Sequence, residues 1–260
     1  MVVPYQRCAA FARLWSYMKR GNTIFFKKPP RVRSYAAICG SKEREGVIGG
    51  YADITLADDM YGESTYEKAE CKMLSGAIRL AVEKGALTDG DIDVLFSGDL
   101  LNQIISASFA ARDFQFPFLG LYSACSTMSE SILLAAAMID GGFARNCVAA
   151  TGSHFASAER QYRYPLELGC TRPPQSQWTV TGAGACVISG EEGGIQVVNA
   201  TLGRVRDWGI SDVNNMGAAM APAAADTIMR HFKDTNTLPE DYDMIVTGDL
   251  GALGSRILKD

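Results

Sequence analysis

Histidine is scarce in this chain: two residues in 260, His154 and His231, which argues against a histidine-rich metal centre. Seven cysteines, an odd number, sit at positions 8, 39, 71, 125, 147, 170 and 186, and none forms a CxxC pair. They read as reduced thiols of an intracellular protein, not as a disulfide framework or a zinc site. No apolar run approaches the ~20 residues needed to span a bilayer. Basic charge is not in excess either, with 25 Lys and Arg against 29 Asp and Glu. The net charge of −4 argues against a nucleic-acid footprint or a polybasic membrane surface. No GxGxxG or P-loop pattern stands at a strand–helix turn, so Gly182, Gly184, Gly193 and Gly194 read as close packing and a tight turn between strands. What the chain does have is 47% hydrophobic and 21% charged residues, the composition of a soluble globular protein with a sizeable core.

The first 20 residues place Arg7, Arg13, Lys19 and Arg20 around Trp15 and Tyr17, without the apolar core and small-residue cleavage site of a signal peptide. Two readings stand. The segment is a basic amphipathic surface anchor, or an upstream extension ahead of a true start at Met18. Residues 1–20 are expected to lack regular structure.

The most informative stretch is Gly120 to Glu130. An apolar strand, Phe116 to Leu121, runs into a small-residue turn carrying Cys125, and an alanine-rich apolar helix, Ile132 to Ile139, follows. This places Cys125 at a helix N-terminus, where unpaired N–H groups and the macrodipole favour negative charge. A thiol there is inclined to ionise. Thr127 and Glu130 have the spacing of a capping box. Three roles stay open for Cys125: a nucleophile, part of an anion pocket, or an inert small residue in a tight turn.

The chain also contains a repeat. Asp91 to Leu100, DIDVLFSGDL, returns as Asp241 to Leu250, DYDMIVTGDL, at an offset of 150 residues. Each copy reads as a buried parallel strand ending in [Ser/Thr]-Gly-Asp-Leu. A helix precedes each, with Ala69, Met73, Ala77, Leu80 and Ala81 at helical spacing in the first and Met220, Ala224, Ala225, Ile228, Met229 and Phe232 in the second. Helix, Asp-containing turn and strand form a crossover unit, so the chain is an internal duplication of α/β type. The first copy continues through a strand at Cys147 to Thr151 and a strand pair, Thr181 to Ile188 and Gly194 to Val198. The second has 11 residues after Asp249 and is read as incomplete.

Duplicated α/β halves with a cysteine capping a helix in the first resemble the thiolase fold. The likeness sharpens at GDLLNQ (98–103), ACST (124–127), IDGGFA (139–144), Ser153-His154, AERQYRYP (158–165) and MAPAAADT (220–227). Together these resemble the stage V sporulation protein AD family of endospore formers, from about Gly21 to the last residue. The resemblance implies a thiolase-like α/β fold with duplicated halves, residues 21–190 and a partial 191–260, and buried helices between sheets. It implies binding of pyridine-2,6-dicarboxylate (dipicolinate), free or as its calcium chelate, during loading of the developing spore. It further implies membrane proteins of the same operon as partners, a location peripheral to the inner spore membrane, a possible homodimer and no cofactor. The alternative it leaves is a thioester condensation of the thiolase or ketoacyl-synthase type, with Cys125 as the acylated nucleophile.

Within that framework the site residues are Cys125, Asp99, Asn102, His154, Arg160 and Arg163. Asp99 ends a buried strand beside Leu100, Asn102 and Gln103, where open α/β sheets place ligands, and it equally suits a helix cap. It could also help hold the calcium that dipicolinate chelates. His154 is a ligand contact or a satisfied structural donor. Arg160 and Arg163 stand with Tyr162 and Tyr164, a composition suited to a flat dicarboxylate, or to an exposed loop paired with Glu159 and Glu167.

Overall fold

The computed structural model describes residues 19–162, 179–212 and 215–260, excepting the side chains of residues 159–162. These residues fall into two compact units. Residues 1–18 and 163–178 lie outside the described residues, whereas Lys19 and Arg20, expected to lack regular structure, form a short strand.

The smaller unit comprises residues 19–27 and 198–260. It begins with two short antiparallel strands, β1 (Lys19–Arg20) and β2 (Thr23–Phe25). The larger unit, built from residues 28–162 and 179–197, holds a mixed sheet. Its first strands are β3 (Arg31–Cys39) and β4 (Ile54–Thr55), which are parallel. Helix α1 (Tyr66–Lys84) follows, with the Thr65 hydroxyl accepting from the Lys68 amide at its N-cap. Ala69, Met73, Ala77 and Ala81, spaced for a helix, are all buried as the periodicity requires. Next come β5 (Val94–Gly98), α2 (Ile105–Ala111), β6 (Phe118–Gly120), α3 (Thr127–Asp140), β7 (Asn146–Ser153), α4 (Phe155–Tyr162), β8 (Gly182–Ser189) and β9 (Ile195–Gln196).

The strand order is β4-β3-β8-β7-β5-β6, with β9 also on β3. β5 runs parallel to both β6 and β7, whereas β8 is antiparallel to β7 and β3. Ile78, Leu95, Val148 and Phe114 belong to a core on the side of α1 and α2. Phe96, Ala135, Cys147 and Ile188 form a second core against α3. Burial pushes the Cys147 and Cys186 thiols up to about 12, so both behave as small protonated apolar groups.

Two sequence expectations change here. The apolar run at Phe116 to Leu121 yields a strand only over Phe118–Gly120, because Pro117 has no N–H to contribute to a ladder. The expected pair of strands, 181–188 and 194–198, are not partners of each other: β8 and β9 both bond to β3.

The chain returns to the smaller unit through β10 (Asn199–Thr201), antiparallel to β2, then α5 (Met216–Thr235) and α6 (Gly251–Lys259). The Asp234 carboxylate accepts from the Asn22 amide at 2.8 Å and the Thr23 hydroxyl at 3.1 Å. Gly21, at φ +57°, leaves room for that carboxylate. His231 bridges the Thr201 hydroxyl (2.8 Å) and the Tyr242 hydroxyl (2.7 Å). Helices α5 and α6 meet at Gly217 and Gly254, where a side chain on either would strike the other's backbone.

The repeat is written in backbone hydrogen bonds. After α1 the Leu87 amide donates to Val82 O at 3.1 Å, and after α5 the Thr237 amide donates to Phe232 O at 3.0 Å. Ala86 and Asn236 between them share the left-handed conformation, at φ 53° and 60°. The Asp91 and Asp241 carboxylates each accept from the amide three residues earlier, both at 2.8 Å. The strand expectation, however, holds only for the first copy. Residues 242–250 form no strand, and none of the described strands lies alongside them to take their hydrogen bonds.

No described helix is long and apolar enough to cross a membrane.

Candidate functional site

The three parallel strands β6, β5 and β7 end on one edge of the sheet, at Gly120, Gly98 and Ser153. The segments leaving that edge carry Tyr122 to Cys125, Asp99 to Asn102, and His154. Crevices at the carboxyl ends of parallel strands are where open α/β sheets hold ligands.

Gly98 explains how two of these segments come so close. A Cβ there would collide with the Leu121 carbonyl oxygen and press on the Thr127 methyl at 3.0 Å. The glycine of Ser-Gly-Asp-Leu thus admits the turn that carries Cys125. That turn is strained: Ala124 has φ +46°, and in the neighbouring loop Gln103 and Ile104 are left-handed in succession at 59° and 49°. Such conformations in non-glycine residues each cost about 1–3 kcal/mol and concentrate at functional sites.

Cys125 is exposed, in a 3-10 turn spanning Ala124–Ser126 that precedes α3. The cysteine therefore stands just outside the first turn of the helix. The expected Thr127–Glu130 capping box does not form. Thr127 is already helical and buried, its hydroxyl without a hydrogen-bond partner, and Ser126 turns its hydroxyl back to Ser123 O at 2.9 Å. Glu130 occupies the first turn of α3 with Oε2 buried and unpartnered.

Asp99 is buried and acts as a clamp. Its two oxygens accept from the Leu101 amide (2.7 Å) and the Ala107 amide (2.6 Å), tying the strained loop to the start of α2. Burial pushes its carboxyl above the ordinary range, and the backbone donors partly offset this. Asn102 is exposed and accepts from the Tyr122 hydroxyl at 3.3 Å, joining the β5 and β6 loops.

His154 is fully buried. Its Nε2 pairs with Asp59 O at 2.8 Å and its Nδ1 accepts from the Ala156 amide at 3.2 Å. Desolvation lowers its pKa, so it is a neutral ring donating from Nε2, packed against Tyr66 and Phe155. Of the residues singled out from sequence, Cys125 and Asn102 are exposed in segments that leave this edge, while Asp99 and His154 are buried behind it. Arg160 and Arg163 cannot be added to this geometry: the side chain of the first and the whole of the second lie outside the described residues.

Two residues escaped the sequence reading. Tyr122, three residues before Cys125, is exposed. Glu70 is a fully buried carboxyl on α1 whose Oε2 accepts from the Ser157 hydroxyl at 2.8 Å, with the Ser106 hydroxyl also directed at the carboxyl. Burial pushes its pKa up to about 8. Its spacing with Leu74, Ala77 and Ala81 put it on the apolar face of α1, which was the available signal. Among the described residues no cluster of His, Cys, Asp and Glu is suited to hold a metal ion.

Residues 20–260 match the family described as Stage V sporulation protein AD. The Stage V sporulation protein AD of Bacillus subtilis (strain 168) is 48% identical over 239 residues, which cover 92% of this chain and 71% of that one. Solved structures share the fold at low identity. Cerulenin-bound Xanthomonas campestris OleA is 12% identical with a TM-score of 0.62, covering 92% of this chain and 80% of that one. A 3-oxoacyl-(acyl carrier protein) synthase III from Xanthomonas oryzae is 12% identical with a TM-score of 0.59, covering 90% and 81%. The tetronic acid condensing enzyme AbyA1 is 17% identical with a TM-score of 0.55, covering 88% and 83%. The fold is thus that of thiolase-like condensing enzymes.

Proposed function

Because this chain belongs to the Stage V sporulation protein AD family, we propose that it binds dipicolinate as the calcium chelate during spore formation, and that it does no acyl chemistry. The ligand sits at the open strand edge. Its flat ring lies against the exposed Tyr122, one carboxylate reaches the turn at Cys125, and Asn102 supplies a further polar contact. Arg160 or Arg163 pairs with the second carboxylate.

The observation that carries the binding reading over the enzymatic one is the state of the two histidines. Each has both ring nitrogens engaged, His154 with Asp59 and Ala156, His231 with Thr201 and Tyr242. A cysteine nucleophile needs a base to take its proton, and neither imidazole has a nitrogen to spare. The chelated form is favoured over the free dianion by Glu130, whose carboxylate oxygen is unpartnered in the first turn of α3. It repels a bare anion and attracts a bound calcium, which takes oxygen ligands. Docking to membrane proteins of the same operon, at the surface of the inner spore membrane, belongs to the same reading.

Calorimetry with dipicolinate, with and without equimolar calcium, tests it. Saturable binding is expected, tighter with calcium, with Tyr122→Ala weakening it at least tenfold and Glu130→Gln erasing the calcium preference. A chain that melts cooperatively yet gives no heat with either form would overturn the proposal. So would a covalent acyl adduct on Cys125 found by mass spectrometry after incubation with acetyl-coenzyme A.

A further inference from the structure

The two histidines of the chain stand in opposite hydrogen-bond settings. His154 is satisfied as a neutral ring, donating from Nε2 to Asp59 O and accepting at Nδ1 from the Ala156 amide. His231 has no backbone amide on either side, only hydroxyls.

Its Nδ1 lies 2.8 Å from the Thr201 hydroxyl, which lies 2.7 Å from the Thr23 hydroxyl, which reaches Oδ2 of Asp234 at 3.1 Å. Its Nε2 lies 2.7 Å from the Tyr242 hydroxyl. The hydroxyls of Thr237 and Thr235 follow at 2.9 Å and 2.7 Å, and Thr235 donates to the His231 carbonyl oxygen at 2.7 Å. These seven links form one unbroken chain with an acceptor at each end, a carboxylate and a carbonyl.

Every link needs one proton. The five hydroxyls supply one each and a neutral imidazole supplies one more, which makes six protons for seven links. Whichever tautomer the ring adopts, one link is left with two lone pairs facing each other at hydrogen-bond distance. An imidazolium donates from both nitrogens and fills every link. At His154 the same proton would break the bond from Ala156 and place a charge in the core.

The surroundings of His231 add little else that is charged. Strands β2 and β10 bring Thr23 and Thr201, the segment after α5 brings Tyr242, and α5 itself brings Asp234. Arg20 on β1 donates to the Asp234 carbonyl oxygen at 3.2 Å, and Arg230 is held by Asp226 at 3.0 Å. Burial pulls the imidazole pKa below the ordinary histidine value, and the Asp234 charge opposes it. The ring is only partly buried, so desolvation weighs less on it than on the fully buried His154. Against that cost, the added proton turns an empty contact into a charge-assisted hydrogen bond, the stronger kind.

We propose that His231 is a proton-binding site that completes this chain, so that mild acid fastens the segment after α5 to β2 and β10 and loss of the proton opens one link. The device is a pH-sensitive latch at the start of the second copy of the repeat, since Thr237 and Tyr242 lead into the exposed Met244, Ile245 and Val246. It lies wholly within the smaller unit and does not rest on the dipicolinate reading.

Nuclear magnetic resonance of the full chain labelled with 15N-histidine tests it. Two ring systems are present, and His231→Gln assigns them. His231 is expected to titrate above the ordinary value of about 6.5, holding its proton at least about tenfold more tightly than His154. The discriminating variant is Thr237→Val, which cuts the chain without touching the imidazole and keeps the amide bond to Phe232 O. The shortened chain is satisfied by a neutral ring, so the His231 midpoint should fall by at least about half a pH unit, and Tyr242→Phe should lower it likewise. A ring that stays neutral from pH 8 down to pH 5.5 would overturn the proposal. So would a midpoint that Asp234→Asn lowers and Thr237→Val leaves in place, which would mean simple charge attraction. Should Thr237→Val fail to melt cooperatively, the wild-type titration decides alone.

Discussion

The two copies of the repeat are nearly the same locally and opposite globally. Each ends its helix with the same pattern of backbone hydrogen bonds and a left-handed residue, and each has an aspartate accepting from the amide three residues back. Beyond that point they part. Val94 to Gly98 are all buried in β5, between β6 and β7 and beneath helices on both faces. Met244, Ile245 and Val246 are 76%, 45% and 80% exposed and belong to no strand. Turns and caps are satisfied within a few residues, so the sequence alone suffices to form them. A strand is half of a bond that another segment must complete, so the same apolar run stays extended and wet where no neighbour is present.

The largest expected contrast comes from truncating equivalent apolar positions. Leu95→Ala should cost about 2–5 kcal/mol, as buried leucines do, while Ile245→Ala should cost well under about 1 kcal/mol. Urea denaturation of both variants measures it, and similar losses would mean that the second copy is buried after all. Next is the glycine pair. Gly98→Ala drives a methyl into the Leu121 carbonyl and should destabilise by about 1–3 kcal/mol while changing the alkylation rate of Cys125; Gly248, with nothing within 4 Å of its Cβ position, should accept alanine almost silently.

Glu70 has no counterpart in the second copy and should make the larger unit sensitive to pH. Its folded pKa is raised to about 8 from 4.5, so the native state holds a proton that the unfolded state releases. Stability should therefore fall as pH rises from about 4.5 to about 8. Glu70→Gln should flatten that fall, read from melting curves across the range; a slope unchanged by the substitution would remove Glu70 as its source. The smallest effect is also the most diagnostic of shared local structure. Asp91→Ala and Asp241→Ala should each give a small and closely similar loss of thermal stability, since each removes the same bond to the backbone.

Much of the larger unit was legible in the residues. The helical spacing of Ala69, Met73, Ala77 and Ala81 and the apolar runs of β5, β7 and β8 each become the element they suggest, because propensity and burial agree there. The site was legible in part. Cys125 does lie at the mouth of a helix, but the strained Ala124 sets it one 3-10 turn early, a backbone choice that no side-chain spacing records. Asp99 suits a cap, a ligand contact or both on sequence grounds, and its two amide donors supply the cap. Likewise β8 and β9 look like a hairpin in one dimension; β3, some 150 residues earlier, takes them both.

That last pairing has a consequence in time. During synthesis β3 emerges 158 residues ahead of Ser189, the end of the strand that Arg31 pairs with in the finished sheet. At about 5–20 residues per second it waits roughly 8–30 s for its partner, far longer than local helices take to form. For that interval its free edge is open to whatever strand arrives first, so the centre of the sheet is the last part of the larger unit to become safe from mispairing.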